Sequence, residues 1–184
     1  MDVKVTKLSG VKVLKPRYFL DPRGYFVETY NKRAAQEFGL TASFVQDNQS
    51  FSDKQGTVRA IHFQVPPKSQ AKLVRVLRGS IYDVAIDLRV GSATYGSWVG
   101  ETLTAEGGEQ MFVPRGFGHG FCTLEPKTEV AYKVDDYYAA ECEGGLAWDD
   151  PTLAITWPVS PADAVLSEKD RKHGRFADFI SPFR

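Results

Sequence analysis

The stretch Ala71-Lys-Leu-Val-Arg-Val-Leu-Arg-Gly-Ser-Ile-Tyr-Asp-Val-Ala-Ile-Asp-Leu-Arg89 decides the architecture. Its first part, Ala71 to Leu77, reads as a strand broken by Arg78-Gly79, and its second, Ser80 to Arg89, as another carrying Ile81, Val84, Ile86 and Leu88. Downstream, Trp98–Leu103, Gln110–Pro114, Gly120–Leu124 and Thr128–Val134 follow at short intervals. Val90-Gly91, Glu106-Gly-Gly108, Arg115-Gly116 and Glu125-Pro126 punctuate them as turns. Upstream, Val3, Val5, Leu8, Val11, Val13 and Leu14 keep mostly to period two. Short strands at regular spacing with Gly and Pro turns predict a sandwich or barrel. The reading is an all-β jelly roll with a few short helices, one domain over residues 1–184, its core at about 58–134 and its flanks covering it. One helix is expected from Asn31, as N-cap, to Phe38, with Gly39 just past its end; Ala162–Asp170 is expected to form one or two turns.

The chain holds 23 Lys plus Arg and 23 Asp plus Glu. A zero net charge argues against a nonspecific nucleic-acid coat or a polybasic membrane patch, while leaving room for a local basic pocket. Cys122 and Cys142 make no disulfide framework and read as inert thiols in a reducing compartment. The N-terminal residues lack the apolar core of a signal peptide, and no segment approaches the ~18 apolar residues of a membrane span, so a cytoplasmic protein is expected.

Three clusters place polar residues inside strand-like segments. In Arg59-Ala-Ile-His-Phe-Gln64, strict alternation sends Arg59, Ile61 and Phe63 to one face and Ala60, His62 and Gln64 to the other. In Gln70-Ala-Lys72, a hairpin closed around Val65-Pro66-Pro67 brings Lys72 to the face of His62. In Gly116-Phe-Gly-His-Gly-Phe121, His119 lies between glycines, which permit close backbone approach. Tyr132, Tyr137 and Tyr138 follow, and Leu166-Ser-Glu-Lys-Asp170 offers a carboxylate to orient a histidine. Gln64 breaks the His-x-His pair of metal-binding barrels, and a histidine triad would need all of His62, His119 and His173, so no metal is expected. A neutral imidazole accepts a proton near neutral pH, an ammonium stabilises an enolate oxygen, and a phenol returns a proton from the opposite face. That set suits proton abstraction alpha to a carbonyl; packing and surface roles are the alternative these residues alone leave open.

Across Phe19 to Asp170 the chain resembles the dTDP-4-dehydrorhamnose 3,5-epimerase family, which is cupin-like. The resemblance rests on Asp21-Pro-Arg-Gly-Tyr-Phe-Val-Glu28, Phe44-Val-Gln-Asp-Asn-Gln-Ser50, Val58-Arg-Ala-Ile-His-Phe-Gln64, Gln70-Ala-Lys-Leu-Val-Arg75, Pro114-Arg-Gly-Phe-Gly-His-Gly-Phe121, Trp148-Asp-Asp-Pro151 and Leu166-Ser-Glu-Lys-Asp170, in joint order and spacing. It implies a jelly-roll enzyme without a cofactor, usually a homodimer, that converts dTDP-4-dehydro-6-deoxy-glucose to dTDP-4-dehydro-L-rhamnose by inverting C3 and C5, both adjacent to the C4 ketone. A relative that inverts only one of the two carbons would keep the same base and barrel. A barrel that only binds a sugar nucleotide would lack the base or the acid, and His62 and Tyr132 are both present.

Carried over by motif, the resemblance implies His62 as base, Asp170 as its orienting carboxylate, Lys72 at the enolate oxygen and Tyr132 as the acid. It implies Arg59 and Arg23 at the diphosphate, with His119 reaching phosphates or sugar. Glu28, Gln46 and Asn48 would face the nucleotide, Tyr138 would stack on the base with Phe26 as a second candidate, and Glu143 and Lys169 would lie nearby. The resemblance also implies an N-terminal segment that can cross to the partner, so that Arg23 and Glu28 would complete the other chain's site. One departure stands out: the family often has Gly-Leu where Ala60-Ile61 stand, and the added methyl is expected on the His62 face, tightening the pocket.

Overall fold

A computed structural model of the chain describes residues 1–184. Its strands are β1 (Asp2–Val5), β2 (Lys12–Lys15), β3 (Tyr18–Asp21), β4 (Gly24–Val27), β5 (Gln46–Ser52), β6 (Val58–Gln64), β7 (Lys72–Arg78), β8 (Ser80–Asp87), β9 (Trp98–Thr104), β10 (Gln110–Val113), β11 (Phe117–Thr123), β12 (Thr128–Val134) and β13 (Glu143–Gly145). From β5 to β12 the chain crosses between two sheets at every step except the β8–β9 hairpin, with orders β5-β12-β7-β10 and β6-β11-β8-β9, the connectivity of a jelly roll. β2 and β1 extend the first sheet to six strands, and β13 extends the second to five. The sheets thus take strands from outside the expected 58–134 core. β3 and β4 form a separate two-stranded ribbon.

Two apolar layers hold the sandwich. Between the sheets, Val74, Val76 and Val130 meet Ile81, Ala85, Leu103, Phe117 and Phe121. Behind the second sheet, Val58, Ala60, Ile61, Phe63, Val84, Ile86 and Cys122 are covered by Leu146, Trp148, Leu153, Ala164 and Phe183 from the C-terminal segment. The second sheet is therefore buried on both faces. That explains why β8 is buried almost throughout rather than on alternate residues.

The short helix α1 (Lys32–Glu37) begins as expected, since the Asn31 side chain accepts hydrogen bonds from the Arg33 and Ala34 N–H groups. Gly39 ends it in the left-handed region, at φ 74°. The turns expected over Ala162–Asp170 are not helical. There the backbone bonds to the sheet edge instead: Val165 N–H donates to Gly56 O and Val58 N–H donates to Val165 O, both at 2.9 Å. A 3-10 turn begins only at Asp170 (Asp170–Lys172).

Three expectations about the polar clusters are corrected. β6 and β7 form no hairpin; residues 65–71 carry the chain from one sheet to the other, so Lys72 and His62 come from different sheets. β11 starts at Phe117, which puts His119 within the strand. Strict alternation fails in β6. His119 pairs with His62 and Phe121 with Arg59, so two residues of β11 span three of β6. This bulge turns Arg59 and His62 to the same, inward face, because directly opposed residues share a face. Ala60 and Ile61, both fully buried, point outward into the second layer.

The Ala60 methyl therefore does not tighten the pocket. It lies on the far side, where a Cβ on Gly120 would sit 2.5 Å from the Ala60 Cβ, and one on Gly118 would sit 2.7 Å from Ile61 Cγ2. The glycines flanking His119 are the close-approach positions that let β11 lie against the bulge. Gly120→Ala is expected to destabilise the fold by about 1–3 kcal/mol through overpacking. A urea midpoint equal to that of the unsubstituted protein would contradict this packing.

Candidate active site

A cavity of about 130 Å³ opens between the sheets. Gln46 and Asn48 of β5, His62 of β6, Lys72 of β7 and Tyr132 of β12 line it, with Tyr138 and Glu143 at its edge. On its wall His62 Nε2–H donates to Asp170 Oδ1, which lies buried beside it, at 2.5 Å. A carboxylate has no proton to give, so this bond fixes the tautomer and leaves the other ring nitrogen with the lone pair. The His62 side chain is 34% exposed and that of Asp170 only 5%. Burial works to raise the Asp170 carboxyl, but the hydrogen bond and charge of His62, with help from Ser167, hold it below the usual carboxylate value.

Lys72 projects from the opposite sheet, its Nζ 6.0 Å from the centre of the Tyr132 ring. Burial pushes its ammonium down to about 8, against the pull of Asp83 and Glu143. Burial also raises the Tyr132 phenol; Arg59 opposes this and Glu143 adds to it. Arg59 is tethered by Nη2–H to Phe51 O at 3.0 Å, at the mouth of the sandwich. His119, opposite His62 in the sheet, is nearly buried, and its Nε2–H donates to Asp83 Oδ1 at 2.7 Å. Burial holds the His119 ring below the ordinary imidazole value, and the charges of Lys72 and His62 add to this against Asp83.

At the rim, Glu143 Oε2 accepts from Tyr138 Oη (2.9 Å) and from Lys169 Nζ (2.6 Å). Burial works to raise Glu143, but these two bonds outweigh it and leave the carboxyl below its usual value. Gln46 Nε2 donates to Asn48 Oδ1 at 2.8 Å, and Gln46 Oε1 accepts from the Tyr138 N–H at 3.2 Å. The rim residues are thus one hydrogen-bonded chain across β5 and the loop after β12.

Most of the residues singled out from sequence meet here: His62, Asp170, Lys72, Tyr132, Gln46, Asn48, Tyr138, Glu143, Lys169 and Arg59. His119 faces the same way as His62 but lies deeper between the sheets rather than at the mouth, its Nε2 engaged by Asp83. Arg23, Phe26 and Glu28 are not brought to this cavity. They lie on or just after the β3–β4 ribbon, where Phe26 is 70% exposed, Arg23 pairs with Asp21 and Glu28 accepts from Asn31. Sequence reasoning gave no role to Asp83, Gln64 or Gln70. Asp83 was detectable as an acid inside an apolar strand. Gln64 and Gln70 anchor the rim loop through Tyr137 O, Ala139 N–H and Asp136 O.

The family model described as dTDP-4-dehydrorhamnose 3,5-epimerase matches residues 5–178. The chain belongs to this family. The dTDP-4-dehydrorhamnose 3,5-epimerase of Pseudomonas aeruginosa is 48% identical to it over 179 residues, 96% of this chain and 97% of that one. The crystal structure of the Bacillus anthracis enzyme, with TDP and PPi bound, aligns with a TM-score of 0.92 at 49% identity, covering 95% of this chain and 99% of that one. The Legionella pneumophila enzyme, in complex with dTDP-4-keto-L-rhamnose, aligns at 0.93 with 38% identity, covering 100% and 98%. As a member the protein is an isomerase of dTDP-linked sugars with a cupin-like β-sandwich.

Lys72 gives a stability test for this epimerase. Its folded-state value of about 8 lies below the ordinary lysine value of 10.5, so the folded chain binds fewer protons between those limits. The cost of burying the charge is therefore complete below about pH 8 and fades as pH rises toward 10.5. Lys72→Met is expected to be more stable than the unsubstituted protein at pH 7, by on the order of 1–3 kcal/mol, with the difference shrinking between about pH 8 and 10.5 and mostly gone by pH 10. Urea unfolding at the two pH values checks it; a less stable variant at pH 7 contradicts it.

Proposed function

We propose that this epimerase converts dTDP-4-dehydro-6-deoxy-glucose to dTDP-4-dehydro-L-rhamnose, the rhamnose precursor, as one jelly-roll domain over residues 1–184. The observation that carries the assignment of roles is the hydrogen-bonded His62–Asp170 pair facing the same cavity as the Lys72 ammonium and the Tyr132 phenol. The C4 ketone acidifies both neighbouring C–H bonds. His62 takes the proton from C5 or C3 and becomes an imidazolium beside the Asp170 carboxylate. The C–H electron pair moves into an enolate whose oxygen meets the Lys72 ammonium. Tyr132 returns a proton to carbon from the opposite face, inverting it. The raised Tyr132 phenol holds its proton at neutral pH, and Lys72, at about 8, keeps most of its charge there. Once the imidazolium has released its proton to water and the Tyr132 phenolate has taken one up, a second round inverts the other carbon.

Arg59 takes the diphosphate, and His119, buried with Asp83 between the sheets, backs the sugar. Gln46, Asn48, Tyr138, Glu143 and Lys169 hold the nucleotide. Arg23, Phe26 and Glu28 of the partner subunit complete the site in a homodimer with exchanged N-terminal ribbons. Two surfaces support this arrangement. The ribbon exposes Phe19, Leu20, Tyr25 and Phe26, and the outer face of the first sheet carries a groove of about 330 Å³ lined in part by Leu73, Leu77 and Ala131. The proposed compartment is the cytoplasm, in keeping with the free, buried Cys122 and Cys142; no helix is long and apolar enough to cross a membrane.

Incubation with dTDP-4-dehydro-6-deoxy-glucose in deuterium oxide, followed by proton NMR, tests the reaction. Both the C3 and C5 signals are expected to disappear, and neither with His62→Ala. Loss at one carbon only would make the protein a single-site epimerase, and no exchange would sink the catalytic roles. The rate is expected to fall as pH rises through about 8, where Lys72 loses its charge. Sedimentation should give a dimer; a monomer that exchanges both protons at full rate would overturn the shared site.

A further inference from the structure

His173 has no part in the reaction as described, yet it is built against the base. Its ring centre lies 5.3 Å from that of His62, and the planes are at 87°. It follows directly on the 3-10 turn Asp170–Lys172, so the segment that supplies the carboxylate also supplies this second imidazole. Room for the ring comes from β13. Gly145 is the cross-strand neighbour of His62, and a Cβ there would lie 2.3 Å from His173 Cε1. The segment is pinned on the far side by Ala147 N–H donating to Gly174 O at 2.8 Å.

We propose that His173 is a positioning residue for the base: its ring fills the space left by the missing side chain of Gly145 and braces the His62 ring at right angles, holding it in line with Asp170. The proposal rests on the reading of His62 as the base. Three observations support it. The His62–Asp170 bond is short, and a ring that swung about its side-chain torsions would lose that alignment. His62 is also one-third exposed, so the cavity side does not confine it. The brace comes from the protein side, where β13 and the turn meet. His173 Nδ1 is buried with no hydrogen-bond partner, so what the ring gives His62 is shape rather than a hydrogen bond from that nitrogen. Burial, and then the His62 charge, hold His173 below the ordinary imidazole value, against Asp170 and the Ala60 carbonyl, so that it stays neutral beside the imidazolium.

The test compares His173→Ala, His173→Phe and Gly145→Ala. It reads kcat and KM for proton exchange and, by NMR, the downfield N–H resonance of the His62–Asp170 hydrogen bond. His173→Ala is expected to lower kcat about tenfold or more, as small misplacements of reacting groups do, with KM within about twofold and the downfield resonance lost. His173→Phe keeps a ring and recovers most of both. Gly145→Ala evicts the ring and reproduces the loss, and adding His173→Ala to it costs nothing further. His173→Ala with unchanged kcat and resonance overturns the proposal, as does a His173→Phe enzyme that recovers neither. A loss that appears in KM with the resonance intact also overturns it. If His173→Ala fails to fold, His173→Phe and Gly145→Ala decide the matter. If His62→Ala still exchanges both protons, the catalytic reading fails, and the resonance alone then decides whether His173 positions His62.

Discussion

The site depends on a single extra residue in β6. Where two residues of β11 span three of β6, Arg59 and His62 both turn inward and Ala60 and Ile61 both turn outward. An unbroken strand would have sent one of the two polar side chains into the apolar layer behind the sheet, where an unpaired charge is costly. The bulge needs a neighbour that can come close, and Gly118 and Gly120 are that neighbour. It also needs a cover for two consecutive outward apolar residues, and the C-terminal segment is that cover.

The charges inside the cavity balance in a way that suits proton transfer. Two imidazole–carboxylate pairs, His62–Asp170 and His119–Asp83, stand side by side, their histidines neighbours on one sheet, and a lysine comes from the other. Each carboxylate offsets positive charge that burial would otherwise make prohibitive. Burial of Lys72 weakens its grip on its own proton while sharpening its field toward an anionic oxygen, since low-dielectric surroundings strengthen both effects. Tyr132 is shifted the other way by the same burial, so the phenol holds its proton more tightly while the ammonium near it holds its own less tightly.

Much of this was legible in the chain and some was not. Period two, glycine turns and the Asn31 cap gave the strands and the helix, because each is a local effect. The company of His62, Lys72, Tyr132 and Asp170 was readable only from motif order, since they lie on different sheets and a distant turn. The face of Arg59 was misread because a bulge leaves no compositional mark; the nearest signal was a pair of glycines sixty residues away, around His119. The apolar run of β8 was a sign that its sheet is covered twice, and that cover is what places Asp170. His173 looked like a leftover histidine because its partner, Gly145, contributes only an absence.

The C-terminal segment deserves to be viewed as a strap. The sheets carry the groups proposed to grip a ligand, whereas the carboxylate bonded to His62 and the ring beside it both ride on one short turn, held between stretches that cover the back of the sandwich. Recognition and reactivity are therefore held on separable stretches of chain. A lineage could redraw the strap and lose or redirect chemistry while the grip survives, so relatives that bind and relatives that react need differ by little more than one surface segment.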